Sequence, residues 1–195
     1  MKPPISYYGG KQRLGKKIAE LIPRHRIYVE AYAGGAAVFF QKTLIELPGY
    51  IEVLNDHDQR LVNFYRVLQH PLKAYRLYTR LLFSPYSREL HRQAKAENRE
   101  HGEDEIEAAA SYFIDIMGSF SHVLGRGWKR SICANRKSSA VVQNRINLLE
   151  SFVERLRGGY IECMDALDLI RLWDSPDTFF YLDPPYPGCD QGHYR

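Results

Sequence analysis

The residues best suited to chemistry stand late in the chain, where the apolar run TFFYL at 178–182 leads straight into Asp183-Pro184-Pro185-Tyr186. A carboxylate at the C-terminal end of a sheet strand stands where open α/β sheets bind their ligands. The residue before a proline is held extended, and two successive prolines fix the backbone and remove two N–H donors. The turn therefore offers acceptors, the Asp183 carboxylate and the Pro184 carbonyl, with the face of Tyr186 alongside. A flat ring bearing an exocyclic –NH2 suits it, because two acceptors take the amino hydrogens while the ring stacks on the tyrosine. Such a nitrogen, adenine N6 for instance, attacks poorly because its lone pair is delocalised into the ring. Hydrogen bonds that strengthen as it becomes tetrahedral stabilise the transition state more than the ground state. A methyl sulfonium held in line would be a suitable electrophile, and positioning would do much of the rest. This chemistry requires neither a metal nor a covalent enzyme intermediate.

A second constellation lies near the N-terminus. IYVEA at 27–31 reads as a strand that ends beside Glu30 and runs into Gly34-Gly35. A glycine pair there lets a ligand approach the backbone, and the helix that follows presents free N–H groups. The next strand, YIEVL at 50–54, ends in Asn55-Asp56, with Asp56 twenty-one residues after Gly35. An acid about 20 residues beyond the glycine turn can accept both hydroxyls of a ribose. The glycines are adjacent and do not follow GxGxxG, so the layout is that of a nucleoside cofactor site without the pyrophosphate cradle of dinucleotide enzymes.

The elements that must position these groups follow from periodicity. Helices are expected over 12–22, with Leu14, Ile18, Leu21 and Ile22 inward, and over 37–45, 58–69, 141–157 and 166–173, with strands at 27–31, 50–54, 159–163 and 178–182. Residues 71–123 show helical spacing alone, and GRGWKRSICANRKSSA at 125–140 reads as a loop made flexible by Gly125 and Gly127. Strand–helix alternation at both ends predicts an α/β fold with a parallel sheet, interrupted by a helical insert.

Composition bounds the rest. The chain is 45% hydrophobic and 26% charged with a net charge of +4, ordinary values for a globular protein. No apolar run is long enough to span a membrane, and the N-terminus lacks the apolar core of a signal peptide, so the cytoplasm is the expected compartment. Cys133, Cys163 and Cys189 lie far apart without CxxC spacing, which points to three reduced thiols. The scattered His70, His91, His101 and His122 are expected to be solvated or capping residues, and Phe113, Met117 and Phe120 to be core of the insert.

The ordered set YYGGKQRL, VEAYAGGAAVFF, VLNDHDQRLVNFYRVL, CMDALDLI and YLDPPYPGCDQGHY resembles the adenine-N6 DNA methyltransferases, and more narrowly the group related to DNA adenine methylase. The resemblance implies a Rossmann-like methyltransferase fold using S-adenosyl-L-methionine on double-stranded DNA. Tyr7 and Lys11 match the N-terminal motif beside cofactor and active site. Glu30, Gly34 and Gly35 match the loop around the methionine moiety, Asp56 the acid on the ribose, and Asp165 the acid on the cofactor adenine. Asp183, Pro184, Pro185 and Tyr186 match the catalytic motif, and Tyr194 a second tyrosine after it. A catalytic unit of residues 1–70 and 141–195 is expected, with 71–140 as target-recognition insert. A cognate restriction endonuclease is a candidate partner, and the full-length form is expected to be a monomer.

Between Gly118 and Leu149 there are six basic residues, Arg126, Lys129, Arg130, Arg136, Lys137 and Arg145, and no acid. Such a segment neutralises phosphates and can read guanine edges, and the first five are the candidate DNA-binding residues, with Trp128 able to stack or wedge. The recognised site does not transfer from the resemblance, because this loop lacks the family's usual residues there. The family usually continues for several strands and helices after the catalytic motif, whereas nine residues follow Tyr186. The expectation is a partial sheet, in a fragment of a longer protein or a degenerate gene product, with 178–182 as an exposed edge. Rival readings are a DNA-binding remnant without catalysis, and a methyltransferase acting on RNA adenine or a protein glutamine amide.

Overall fold

Among the described residues four short strands, β1 (Ile27–Glu30), β2 (Ile51–Asn55), β3 (Tyr160–Glu162) and β4 (Thr178–Tyr181), pair in parallel in the order β3-β2-β1-β4. The computed structural model describes residues 1–45, 47–100, 103–130 and 137–185. In this order β1 is flanked by β2 on one side and β4 on the other, so the crevice between β1 and β4 is the switch point at which open α/β sheets bind ligands. The fold is α/β and Rossmann-like. Buried on both faces, β1 and β2 show the near-continuous apolar character of parallel strands, broken by Glu30 and Glu52.

The helices are α1 (Gly15–Glu20), α2 (Ala37–Gln41), α3 (Gln59–Gln69), α4 (Pro71–Leu82), α5 (Arg88–Glu100), α6 (Glu105–Gly118), α7 (Ser138–Ile146), α8 (Leu149–Leu156) and α9 (Ala166–Trp173). Asp58 caps α3 by accepting from Arg60 N, Asp104 caps α6 through Ile106 N and Glu107 N, and Pro71 opens α4, each a favoured helix start. On one face of the sheet Tyr28 and Leu54 pack with Phe39, Phe40, Phe64, Leu68 and Phe152. On the other, Val29 and Val53 pack with Ala166 and Leu169 of α9. The first cluster runs on without a break into the inserted helices through Leu77, Leu81, Tyr112 and Phe113. Phe64 lies 6.0 Å from Tyr112 and 6.1 Å from Phe113, ring to ring. The insert therefore shares its core with the sheet layer.

Three local expectations are corrected. The first helix is only six residues long and leaves Leu14 and Leu21 exposed. It docks on α2 through Gly15, where a Cβ would come within 2.7 Å of Ala37 O, so the close approach excludes the leucine face. The second helix stops at Gln41, because Lys42 turns extended and sends its ammonium inward. The helix expected over 141–157 is two helices. The break at Asn147 and Leu148 lets Ile146 and Leu149 both face the core while Leu148 meets solvent.

The inward turn of Lys42 completes a buried ionic knot. Glu52 Oε1 accepts from Lys42 Nζ at 2.8 Å and from Arg155 Nη2 at 3.0 Å, and Oε2 accepts from Arg155 Nη1 at 2.5 Å. The Arg155 guanidinium also donates to Phe39 O at 3.0 Å and lies 3.6 Å over the Phe39 ring. Burial alone would raise the Glu52 carboxyl, but the bonds and charges of Arg155 and Lys42 outweigh it and hold it below the usual range. The knot ties α2, β2 and α8 together. Glu52→Gln should destabilise the chain by about 3–5 kcal/mol, because it leaves two cations buried without their counter-charge. The shift in urea midpoint measures this, and an unchanged midpoint would mean that solvent replaces the lost carboxylate.

Candidate functional site

Because β1 and β4 are parallel neighbours, with Glu30 opposite Tyr181, the loops that leave their C-terminal ends stand side by side. A cavity of about 470 Å³ opens there, lined by Tyr7, Lys11, Glu30, Gly34, Gly35, Tyr181, Asp183, Pro184 and Pro185 among others. Its volume is in the range of small-molecule sites, about 300–1,000 Å³. The structure thus gathers two of the sequence constellations and the N-terminal motif around one space. Tyr186 and Tyr194 lie outside the described residues.

The catalytic candidate Asp183 is already partnered. Lys11 Nζ donates to its Oδ2 at 2.5 Å and to Gly9 O at 3.3 Å. Both side chains are about a quarter exposed, 24% and 25%, so the pair is partly desolvated and its charge-assisted bond is stronger than a surface one. A turn supports Lys11: Gly10 N donates to Tyr7 O at 3.0 Å, with Gly9 at φ +72°. Expected beside cofactor and active site, Lys11 joins the N-terminal motif to the catalytic candidate Asp183.

The glycine loop is held on every side. Gly34 N donates to Asp56 Oδ2 at 2.8 Å, and Tyr65 OH donates to Gly34 O at 2.8 Å. Gly34 has φ +47°, and a Cβ on Gly35 would stand 2.9 Å from Tyr7 Cβ. The glycines therefore make room first for Tyr7, which forms a wall of the cavity. Asp56 Oδ1 accepts from Asp58 N at 2.9 Å, so both carboxylate oxygens brace backbone. Burial is the main force raising its carboxyl, partly offset by the bonds from Asp58 and Gly34. Asp165 is exposed and caps α9, accepting from Leu167 N at 2.8 Å and Asp168 N at 3.3 Å. Neither acid is among the residues that line the cavity.

Sequence reasoning missed Asn55 as a site residue. Its amide donates to Ala31 O at 3.0 Å and Met164 O at 3.1 Å, and its Oδ1 accepts from Met164 N at 3.0 Å. One buried side chain thus ties together the chain ends leaving β1, β2 and β3. The only signal was its place at a strand end beside the acid.

Glu30 is the most constrained group. It is 1% exposed, and its Oε1 accepts from Tyr28 OH at 2.6 Å and from Phe39 N at 2.7 Å. The latter bond caps α2 from the strand, since Ala36 at the N-cap offers no side-chain bond. Both donors fall on Oε1, which leaves Oε2 for the cavity. Burial pushes the carboxyl up to about 7, against the bonds from Tyr28 and Phe39.

The basic loop is less free than its glycines suggest. Asp115 accepts from Ser119 Oγ at 2.9 Å, from Gly125 N at 3.1 Å and from Asn98 Nδ2 at 3.2 Å. His91 Nε2 lies 3.0 Å from Ser119 Oγ. His91 is thus buried and bonded to another side chain, which corrects its reading as a solvated or capping residue. Phe120 N donates to Gly127 O and Lys129 N to Gly118 O, closing a short ladder at 2.8 and 2.7 Å. Phe120 itself is 66% exposed and no part of the core. Trp128 is held against Tyr86, ring centroids 4.4 Å apart. Arg126, Arg130 and Lys137 point to solvent, Lys129 is half-buried, and Arg136 lies outside the described residues.

Two outcomes follow. Folded Glu30 holds its proton up to about pH 7, whereas the unfolded chain releases it near 4.5. Below both values the group is neutral in either state. Between them the unfolded chain ionises first, so stability falls as pH rises, by up to roughly 1.4 kcal/mol per unit. Above the folded value the full cost stands. Glu30→Gln should flatten that decline in urea titrations across the window, and an equal slope in both proteins would place the titration elsewhere. Gly35→Ala should cost about 1–3 kcal/mol through overpacking against Tyr7, read as a lower unfolding midpoint. An unaltered midpoint would show that Tyr7 yields freely.

No helix among the described residues is long and apolar enough to cross a membrane. No curated protein is significantly similar to the chain. One family model does match, from Tyr7 to His193, and so takes in the N-terminal turn, the glycine loop, the insert and the Asp183 turn together. That span covers nearly the whole chain in order, and the chain belongs to the D12 class N6 adenine-specific DNA methyltransferase family.

Proposed function

We propose that the chain transfers a methyl group from S-adenosyl-L-methionine to N6 of an adenine flipped out of duplex DNA. The observation that carries this reading is the shared cavity at the β1–β4 switch point, with the glycine loop on one side and the Asp183-Pro184 turn on the other. The residues present fit the cofactor. Tyr7 and the Gly34-Gly35 loop wall a space of suitable size, and Glu30 offers a buried carboxylate oxygen to a cationic amino acid moiety. S-adenosyl-L-methionine would supply an electrophilic methyl carbon on a sulfonium. Asp56 acts first as a positioning residue for Gly34, and the lone pairs it retains are available to ribose hydroxyls. Asp165 at the start of α9 is proposed to face the cofactor adenine.

The remaining chemistry belongs to the turn. Asp183 and the Pro184 carbonyl accept the two amino hydrogens, and Tyr186 supplies the stacking face. Were the methyl carbon to pass to N6, its bond to sulfur would break as the bond to nitrogen formed, and sulfur would leave as a neutral thioether. The positive charge growing on nitrogen would be stabilised by the Asp183 carboxylate more than the neutral amine is, until the surplus amino proton passed to that carboxylate or to water. Lys11, bonded to Asp183 Oδ2, fixes the orientation of the carboxylate before a base arrives. Extrusion of the base is required because N6 is occupied in the base pair. Residues 1–70 and 141–195 serve as the catalytic unit, and 71–140 as the unit that meets DNA. Arg126, Lys129, Arg130, Arg136 and Lys137 contact phosphates and base edges.

Asp183→Ala should abolish methyl transfer while leaving cofactor affinity nearly intact, measured with labelled cofactor and a duplex substrate. Turnover within about tenfold of the parent, roughly 1.4 kcal/mol, would overturn the assignment. Duplex DNA, RNA and a glutamine-bearing protein offered side by side should be methylated in the DNA alone.

A further inference from the structure

A base drawn out of the duplex leaves both of its faces without stacking partners, and enzymes that act on such bases enclose them between aromatic or apolar side chains. Tyr186 is proposed to cover one face. The cavity holds further candidates, because Tyr7, Tyr8, Tyr32 and Tyr181 all line it. Three of these are committed elsewhere. Tyr7 and Tyr181 pack on the core shared by the sheet and the insert, and Tyr32 packs on the smaller core beneath α9. Tyr8 alone of the four packs on neither core, and it is 55% exposed.

The backbone imposes that exposure. Tyr7-Tyr8-Gly9-Gly10 is a four-residue turn, closed by Gly10 N donating to Tyr7 O at 3.0 Å with Gly9 at φ +72°. A positive φ at the third position of a turn calls for glycine. Tyr8 is the second residue, at the corner, where its side chain projects from the turn. The turn is fixed on both sides. Tyr7 lies against the glycine loop, and its ring supplies the nearest atoms to a Cβ on Gly34, at 3.3 Å. Lys11 is bonded to Asp183 Oδ2. A ring carried at such a corner meets a ligand with little backbone left to order, which lowers the cost of binding. Its place along the chain also gives its side of the cavity. Tyr7 takes the glycine loop, whereas Tyr8 stands three residues before the lysine on Asp183, within about 11 Å of extended chain. The corner ring therefore borders the acceptor end of the cavity.

We infer that Tyr8 stacks on the extruded adenine, on the face that Tyr186 does not take, while the amino group is held at Asp183. This rests on the proposed methyl transfer and adds to it a second stacking residue, supplied by the N-terminal turn. Because Tyr8 and Lys11 belong to one short segment, the piece of chain that orients the acceptor also seats the ring to be methylated. A flat aromatic substrate is thereby favoured over a glutamine amide, which has no ring to stack.

The test uses the whole chain with Tyr8→Leu, which keeps apolar bulk without a flat ring, and Tyr8→Phe, which keeps the ring. Methyl transfer to unmethylated duplex DNA, followed with labelled cofactor, should fall about tenfold or more in kcat/KM for Tyr8→Leu, the loss that a removed base–aromatic stack brings. Tyr8→Phe should stay within about twofold of the parent, because the stacking face remains. Cofactor affinity and melting temperature should not move in either variant. In parallel, adenosine is titrated into protein with ring-labelled tyrosines, where the Tyr8 signal is the one that Tyr8→Phe removes. Adenosine should shift that signal, and free glutamine at the same concentration should not. If Tyr8→Leu transfers at the parent's rate, or loses cofactor affinity in step with transfer, the stack is refuted, even where Asp183→Ala still abolishes turnover. Equal losses in Tyr8→Leu and Tyr8→Phe refute it too, since the hydroxyl would then be the group that acts. If the parent methylates no duplex DNA, the adenosine titration decides: a shifted Tyr8 signal upholds the stack and the methyl-transfer reading alone fails, whereas an unshifted one refutes the stack. Should Tyr8→Leu fail to fold, Tyr8→Ala is measured in the same way against the same outcomes.

Discussion

The parallel pairing of β1 with β4 is the constraint on which the site depends. With Ile27 opposite Thr178 and Glu30 opposite Tyr181, the two loops that carry chemistry must leave the sheet at the same level, a few ångströms apart. A slip of one residue would turn every side chain of β4 to the other face and carry Asp183 away from Lys11. The other devices of the site presuppose this register. Asn55 secures the ends of β1, β2 and β3, Asp56 and Tyr65 hold the loop after β1, and Lys11 clasps the turn after β4.

Three carboxylates near the sheet show how environment divides labour among identical groups. Glu52 is buried with two cations and stays ionised as structural glue. Glu30 is buried with neutral donors, so its proton is held far above the usual range, and it caps α2 while facing the cavity. Asp183 is a quarter exposed beside the Lys11 ammonium and lines the cavity. The ordering follows from solvation: the more completely a carboxylate is removed from water, the more its charge state depends on which partners enclose it.

Much of this was legible in the sequence. The strand–glycine–helix order, the acid after the second strand and the Asp-Pro-Pro turn all rest on local rules, and each lies on the expected element. The motif residues Lys11, Glu30, Gly34, Gly35 and Asp183 meet around one cavity. What escaped is what distance along the chain conceals. The Cβ-free space at Gly35 belongs to Tyr7, which no local pattern reveals. Leu14 and Leu21 lie on a helical stripe, yet the close approach at Gly15 leaves them exposed. His91 looked solvated because its partner, Ser119, is brought to it by α6. Lys42 ends its helix early because its counter-charge lies on the next strand.

The clasp between Lys11 and Asp183 joins residues 172 positions apart, which makes it among the most non-local contacts in the chain. Contacts of such separation form late, after local helices and the nearer pairings have reduced the entropy of closing the loop between them. As the chain leaves the ribosome, the glycine loop and the whole insert emerge before Asp183 has been made. An incomplete chain therefore presents the glycine loop without the Asp183 turn that stands opposite it across the cavity. The cavity is walled on both sides only after β4 and its turn have been made and have met Lys11.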